Sequence, residues 1–104
     1  MRLSDEQISR IFKSADIAGC LRILVLNNYG IEGLSEDEYN NNLYCVNDEN
    51  VVIWQVNTPK SRHGSDAFTY VKISDGKIIA KKESGTKYSV DENTGVAIEV
   101  GFEK

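Results

Sequence analysis

The sequence predicts an α+β fold in which N-terminal helices pack on one face of an antiparallel C-terminal β-meander. Two helix-entry motifs, each opened by a serine, stand in the first 40 residues, whereas the second half alternates apolar and polar residues between turn dipeptides. Of the 104 residues, 40% are hydrophobic and 27% are charged, which is the composition of an ordinary globular protein. We therefore expect a single α+β domain over residues 1–104.

The first helix begins at a capping box formed by Ser4 and Gln7. The Ser4 hydroxyl can accept a hydrogen bond from the Gln7 amide, while the Gln7 side chain reaches back to the Ser4 amide. Apolar residues then recur at helical spacing, at Ile8, Ile11, Phe12 and Ala15. This pattern predicts one amphipathic helix.

The segment over residues 16–30 contains an apolar run, Cys20 to Leu26, that fits either a buried strand or a buried helix. We favour a helix because Gly30 followed by the apolar Ile31 is typical of a left-handed helix end. Asp16 would then be the N-cap of this helix.

A short helix is predicted to start at Ser35, which can form a second capping box with Glu38. The acids that follow Ser35 complement the positive end of the helix dipole, so they already have a structural explanation.

The second half predicts antiparallel strands. Residues 43–46 and 51–56 form a hairpin around the four-residue turn 47–50, and Trp54 is expected to be the anchor of the core. Further turns are predicted at Asp75-Gly76, Ser84-Gly85 and Thr94-Gly95. The alternation assigns a covered face to Phe68, Tyr70, Ile78, Ala80, Tyr88, Val90, Val96, Ile98, Val100 and Phe102.

The composition also bounds the functional class. The acidic first residues lack the basic start of a signal peptide, and no apolar run approaches the roughly 18 residues of a membrane span, so we expect a cytoplasmic protein that does not contact a membrane. The net charge is −4, with −5 in residues 1–50 and +1 in residues 51–104. A protein with a net negative charge binds the phosphates of nucleic acids poorly, so we expect no nucleic-acid partner. A basic protein is the compatible partner.

No motif indicates catalysis or a cofactor. His63 is the single imidazole in the chain, and Cys20 and Cys45 stand in apolar surroundings that suit buried thiols rather than zinc ligands or a disulfide. The acidic segment starting at Asp91 lacks a chelating residue at its twelfth position, where Phe102 stands, and no glycine-rich phosphate loop occurs. We expect no metal, no cofactor and a non-enzymatic protein.

A protein-binding module is therefore the function we predict. Its binding surface would be negative and would attract a basic partner by long-range electrostatics. Six acids would form this surface if the short helix and the hairpin turn end near one another: Glu32, Glu36, Asp37, Glu38, Asp48 and Glu49.

The loop over residues 57–66 supports an alternative, a small-ligand or enzymatic site. Long polar loops carry function more often than the strands that they join. Arg62 would bind an anion and His63 would titrate near neutral pH, with Lys60 as a further cation.

The second half of the chain also resembles the closing meander of small uncharacterised bacterial proteins. The residues that carry the likeness are Ile53-Trp54-Gln55-Val56, Phe68, Asp75-Gly76, Ala80, Gly85, Tyr88, Val90-Asp91 and Thr94-Gly95. Some proteins of that kind are similar to immunity proteins that neutralise a toxin. The resemblance implies an immunity or antitoxin-like inhibitor, and it carries over no functional residue.

Overall fold

Two antiparallel sheets and two short helices make up the protein. The computed structural model describes residues 1–17, 19, 21–58 and 64–102. In chain order the elements are α1 (Asp5–Ser9), β1 (Ile11–Ile17), β2 (Leu21–Leu26), α2 (Glu36–Asn40), β3 (Leu43–Val46), β4 (Val52–Gln55), β5 (Phe68–Ser74), β6 (Lys77–Lys82), β7 (Thr86–Val90) and β8 (Ala97–Phe102). Strands β1 to β4 form sheet 1 and strands β5 to β8 form sheet 2, each in chain order. The predicted α+β fold is therefore wrong.

The two sheets pack against each other around one shared core. Strands β1 and β2 contact β5, and apolar residues of both sheets belong to the same buried cluster. Sheet 1 contributes Ile23, Val25, Leu43, Cys45, Trp54 and Val56, and sheet 2 contributes Phe68, Val71, Ile78, Ala80, Tyr88, Val90 and Ala97. The face of the meander that we expected helices to cover is thus covered by a second sheet.

The first predicted helix is correct at its start and wrong in its length. The capping box exists, since the Gln7 amide donates to Ser4 Oγ at 3.1 Å and the Ser4 amide donates to Gln7 Oε1 at 2.9 Å. The helix nevertheless ends at Ser9, and the residues after Arg10 form β1. Pairing with β2 places Ala15 against the shared core, and this tertiary burial overrides the local helical spacing.

The helix favoured for residues 16–30 is also wrong. Asp16 lies inside β1, and Leu21–Leu26 is β2, a strand between β1 and β3 with apolar side chains buried on both faces. Ile23 and Val25 join the shared core, whereas Leu24 and Leu26 join a second cluster. A strand buried on both faces is an unbroken apolar run, which periodicity cannot separate from a buried helix.

The second cluster lies on the outer face of sheet 1. It consists of Leu3, Leu24, Leu26, Tyr44 and Val46, with Ile8, Ile11 and Val52 packed against it. The chain before α1 is tied to this sheet, because the Leu3 amide donates to Asn50 O at 3.0 Å and the Val52 amide donates to Met1 O at 2.7 Å. Helix α1 consequently packs on the outer face of sheet 1.

The predicted hairpin and turns are confirmed. The Asn47 amide donates to Val51 O at 3.1 Å and closes the turn over residues 47–50, called here the β3–β4 turn. Asp75, Gly76, Gly85 and Gly95 have φ values of 52°, 75°, 94° and 78°, the left-handed conformation that such turns require.

The predicted faces of the meander hold for β6 and β7, hold in β5 for Phe68 but not for Tyr70, and fail for the last strand. Phe68, Ile78, Ala80, Tyr88 and Val90 are buried, whereas a register shift after Phe68 leaves Tyr70 half-buried on the other face. For the last strand the prediction is wrong: Ala97 is the buried residue, opposite Val90, whereas Val96 just before β8 and Ile98, Val100 and Phe102 within it are exposed. Strand β8 is an edge strand with a register shift, so alternation along it does not separate core from surface.

Two further expectations concern Cys45 and the membrane. Cys45 is a free, fully buried thiol, as predicted, and burial raises its pKa; Cys20 lies outside the described residues. None of the helices in the described ranges has the length and apolar character needed to cross a bilayer.

Candidate functional site

The acids of α2 form one exposed group. Glu36, Asp37 and Glu38 occupy the first turn of α2, and all three are exposed. The turn is fixed by the predicted capping box, in which the Glu38 amide donates to Ser35 Oγ at 3.1 Å and the Ser35 amide donates to Glu38 Oε1 at 3.3 Å. Glu38 therefore has a structural role, whereas Glu36 and Asp37 form no ion pair within the described part of the chain.

The other predicted acids are not gathered at α2. Asp48 and Glu49 are exposed in the β3–β4 turn, which follows β3, whereas α2 precedes β3. The two acidic groups consequently lie at opposite ends of that strand. Glu32 is exposed in the loop that leads to α2.

The predicted ligand residues of the 57–66 loop, Lys60, Arg62 and His63, lie outside the described residues. Both ends of this loop are held by the C-terminal end of α2. The Thr58 hydroxyl donates to Asn41 Oδ1 at 3.0 Å, and Asn40 Nδ2 donates to Gly64 O at 2.9 Å.

A cleft of about 240 Å³ opens between α1, α2 and the outer face of sheet 1. We call it the α1–α2 cleft; its polar lining residues are Gln7, Arg10, Asn28, Glu38, Tyr44 and Gln55. These residues are distant in the chain, so no sequence motif indicates the cleft. Three hydrogen bonds bring its walls together: Asn27 N to Arg10 O at 2.8 Å, Asn28 Nδ2 to Glu38 O at 3.3 Å, and Gln55 Nε2 to Asn41 O at 2.8 Å.

The cleft carries both charges. Arg10 is 17% exposed, and its Nη1 lies 3.3 Å from Glu6 Oε1, while Glu38 lies on the other wall. Burial raises the pKa of the Tyr44 phenol; the Arg10 charge acts to lower that pKa and the Glu38 charge to raise it further, so Tyr44 is close enough to feel both. Arg10 and Glu38 therefore line the cleft with opposite charges.

Two polar atoms of residues that line the cleft are closed to solvent. Arg10 Nε and Asn28 Oδ1 are buried without a hydrogen-bond partner in the described ranges. Asn28 as a whole is 6% exposed. Buried polar groups are normally paired, so these two atoms are exceptions, but solvent cannot reach either of them and they do not open into the cleft.

A buried polar network lies between the two sheets. Asn42 Nδ2 donates to Leu26 O at 2.7 Å and to Phe68 O at 2.9 Å, and the Phe68 amide donates to Asn42 Oδ1 at 2.8 Å. The Asp66 carboxylate accepts from the amide and the hydroxyl of Ser84 at 2.9 and 2.7 Å. Each of these hydrogen bonds joins two separate segments of the chain. Asn42 and Asp66 therefore have a structural role.

Lys82 is buried beside this network, with 2% of its surface exposed. Its Nζ lies 5.1 Å from the Phe68 ring centre and 5.4 Å from that of Tyr88, and it has no hydrogen-bond partner in the described ranges. Burial lowers its pKa, and the Asp66 carboxylate acts in the opposite direction. The burial of Lys82 could have been predicted from the alternation along β6, because Lys82 follows Ile78 and Ala80 on the covered face.

The described residues contain no group of three or more His, Cys, Asp and Glu side chains arranged to hold a metal ion.

Comparison with known proteins identifies a family and no activity. No curated protein and no solved structure matches the chain. The model of one family matches residues 5–102, which is most of the sequence, and the chain therefore belongs to the family described as Domain of unknown function (DUF7957).

Proposed function

We propose that this chain is a non-enzymatic protein-binding module that captures a basic partner through α2. The observation that carries the proposal is the exposed pair Glu36 and Asp37, which is fixed on a capped helical turn and forms no ion pair within the described part of the chain. Ordered carboxylates that form no ion pair with the described residues can bind lysine or arginine side chains without first breaking such a pair. Glu38 and Glu32 extend the negative charge on either side of the pair.

The charge distribution supports the same proposal. Residues 1–50 carry a net charge of −5 and residues 51–104 carry +1, so the negative charge belongs to the half that contains α2. Such an asymmetry orients an approaching basic protein and raises its association rate.

The finer form of the proposal is an immunity or antitoxin-like inhibitor that acts in the bacterial cytoplasm. Its support is the resemblance of the second half of the chain to small bacterial proteins of that kind. In this form the basic partner would be a toxin, and the acids of α2 would cover its substrate-binding surface.

The test compares two matched pairs of neutralising substitutions. Glu36→Gln with Asp37→Asn removes two charges from α2, and Asp48→Asn with Glu49→Gln removes two charges from the β3–β4 turn. Glu38 is left intact because it caps the helix. Capture of basic proteins from a lysate of the native host should fall strongly for the α2 pair and stay near wild type for the turn pair.

Equal capture by all three proteins would contradict the proposal. An equal fall for both pairs would contradict it too, since net charge rather than α2 would then govern capture. Thermal melting of each variant checks that the fold is retained.

We keep the 57–66 loop as a second candidate, a small-ligand or enzymatic site with Lys60, Arg62 and His63. The observation in its favour is the attachment of both loop ends to Asn40 and Asn41. A thermal-shift screen of anionic metabolites against wild type and His63→Ala tests it. A ligand that stabilises the wild type and not the variant supports this candidate, and the absence of any stabilising ligand removes it.

A further inference from the structure

We propose that a pocket beside α2, at the neighbouring edges of the two sheets, binds an arginine side chain of the basic partner. Its lining includes three exposed or half-buried aromatic side chains and one acid: Phe12, Tyr29, Tyr39 and Glu83. We call it the aromatic pocket. The inference rests on the function proposed above, because the pocket shares α2 with the acids that attract the partner.

Two β-bulges shape the walls of the aromatic pocket. Strands β1 and β5 are edge strands of sheets 1 and 2, and they contact each other. The register shift in β1 leaves Phe12 as its extra residue, and the shift in β5 leaves Thr69. Both residues are exposed and line the pocket. Bulges at sheet edges commonly re-aim a side chain, which explains how two edge strands present these residues to one pocket.

The aromatic side chains are accessible from solvent. Phe12 is 44% exposed and Tyr29 is 81% exposed, while Tyr39 is half-buried in α2. Burial raises the pKa of the Tyr39 phenol, and the Glu83 carboxylate and then the Tyr29 phenol raise it further, so both groups lie close to Tyr39. The face of an aromatic ring attracts a cation, most often an arginine.

Glu83 supplies the negative charge of the site. It is exposed, and it is the one charged side chain among the described residues that line the pocket. The Tyr39 hydroxyl donates to Glu83 Oε1 at 3.1 Å, and the Glu83 amide donates to Ala67 O at 2.9 Å, so the carboxylate is held in place. Glu83 forms no ion pair within the described part of the chain, and its carboxylate can accept from a guanidinium.

The floor of the pocket is rigid and small. Leu26, Asn42 and Phe68 are buried there, and the Asn42 amide is hydrogen-bonded to the backbone of the other two. The Lys82 amine lies 5.1 Å from the centre of the Phe68 ring, but it is buried and does not line the pocket. The volume is about 50 Å³, several times the roughly 10–15 Å³ that one water molecule needs. The pocket therefore suits the end of one side chain.

A guanidinium fits this pocket better than an ammonium group does. It is planar, it is more weakly hydrated, and it stacks on aromatic faces while its N–H groups donate to a carboxylate. An ammonium group is a compact and strongly hydrated charge. The combination of aromatic rings with Glu83 therefore favours arginine over lysine.

Capped tripeptides of the form Gly-X-Gly, in which X is arginine, lysine or citrulline, test the proposal. Citrulline has the shape of arginine without its charge. Each tripeptide is titrated into the ¹⁵N-labelled protein to about 10 mM, tenfold above a Kd of about 1 mM. The amide signals of residues 12, 29, 39 and 83 are followed. We expect saturable shifts with the arginine peptide, at least threefold weaker binding of the lysine peptide and at least tenfold weaker binding of the citrulline peptide.

Replacing two rings tests the aromatic contribution. Phe12→Leu with Tyr29→Leu keeps the pocket apolar but removes both rings, so the arginine peptide should bind about tenfold more weakly. Phe102→Leu is the control, because it removes a ring that is 58% exposed on β8 and should leave binding unchanged. Thermal melting of each variant checks that the fold is retained.

Glu83→Gln tests the charge, since glutamine can still accept from the Tyr39 hydroxyl. The advantage of the arginine peptide over the citrulline peptide should fall at least threefold. Glu49→Gln, which removes an exposed charge from the β3–β4 turn, should leave that advantage unchanged.

The proposal is overturned if no tripeptide gives saturable shifts, if the lysine or citrulline peptide binds as tightly as the arginine peptide, or if the double ring variant or Glu83→Gln behaves like wild type. Glu36 and Asp37 are not among the residues that line the pocket, so neutralising them should change tripeptide binding less than about twofold. Failure of the tripeptides with intact α2-dependent capture would refute the pocket alone. Binding of the arginine peptide without α2-dependent capture would refute the partner proposal alone.

Discussion

Gly95 lies directly against the indole ring of Trp54. A Cβ atom added at Gly95 would stand 2.5 Å from Trp54 Cε3 and 2.8 Å from Cδ2, closer than real Cβ contacts come. The same ring is held from a neighbouring position, since Trp54 Nε1 donates to Glu92 O at 2.8 Å. The turn between β7 and β8 is thereby fastened to β4, and the two sheets are joined at this end.

Gly95→Ala should consequently lower the free energy of unfolding by about 1–3 kcal/mol, because the new methyl group displaces a buried ring. Gly76→Ala is the control: it has a similar φ, 75° against 78°, but nothing lies within 4 Å of its added Cβ. Chemical denaturation of both variants separates the clash from the backbone strain. Equal losses would show that the indole contact contributes nothing.

Trp54→Ala should lower the free energy of unfolding by about 3–5 kcal/mol, since Trp54 is 7% exposed within the shared core. The wild-type fluorescence should be blue-shifted, as expected for a buried indole. A red-shifted emission with an unchanged melting temperature in the variant would instead identify Trp54 as a surface residue.

Asn42→Ala should lower the free energy of unfolding by about 3 kcal/mol. It removes three hydrogen bonds and leaves buried backbone groups of Leu26 and Phe68 without those partners. Asn93→Ala, in the exposed turn after β7, should change stability by less than about 0.5 kcal/mol. Denaturant midpoints measure both. If the Asn42→Ala protein were as stable as the wild type, the hydrogen bonds of the Asn42 amide would contribute nothing to holding the sheets together.

Lys82 should make the free energy of unfolding depend on pH in the alkaline range. Burial lowers its pKa in the folded state below the unfolded value of 10.5, so the unfolded chain binds more protons between those two values. The wild type should therefore gain stability relative to Lys82→Met as pH rises towards 10.5. Tyr39, Tyr44 and Cys45 also have raised pKa values, but they are common to both proteins and cancel in the difference. A difference in unfolding free energy that stays constant with pH would contradict this expectation.

Sequence motifs correctly predicted the features that depend only on residues close together in the chain. The capping boxes at Ser4 and Ser35 and the turns at Gly76 and Gly85 depend on neighbouring residues, and all of them are present. The length of α1 was not predictable in the same way. Residues Ile11–Ile17 have helical spacing, and they become a strand because β2 offers them a partner.

The α1–α2 cleft could not be predicted from spacing at all. Arg10, Asn28 and Glu38 meet through sheet pairing and through hydrogen bonds between loops, which no local pattern encodes. The same is true of the acids: Glu36 and Asp48 are close in sequence, yet β3 lies between the elements that carry them.

The most direct test of the protein-binding account is the association rate constant of the captured partner at low and high ionic strength. The α2 pair, Glu36→Gln with Asp37→Asn, should lower the low-salt rate about tenfold and flatten its salt dependence, whereas the turn pair, Asp48→Asn with Glu49→Gln, should change it less than about twofold. Rates that fall equally in both pairs, or in neither, would contradict the claim that α2 is the binding surface.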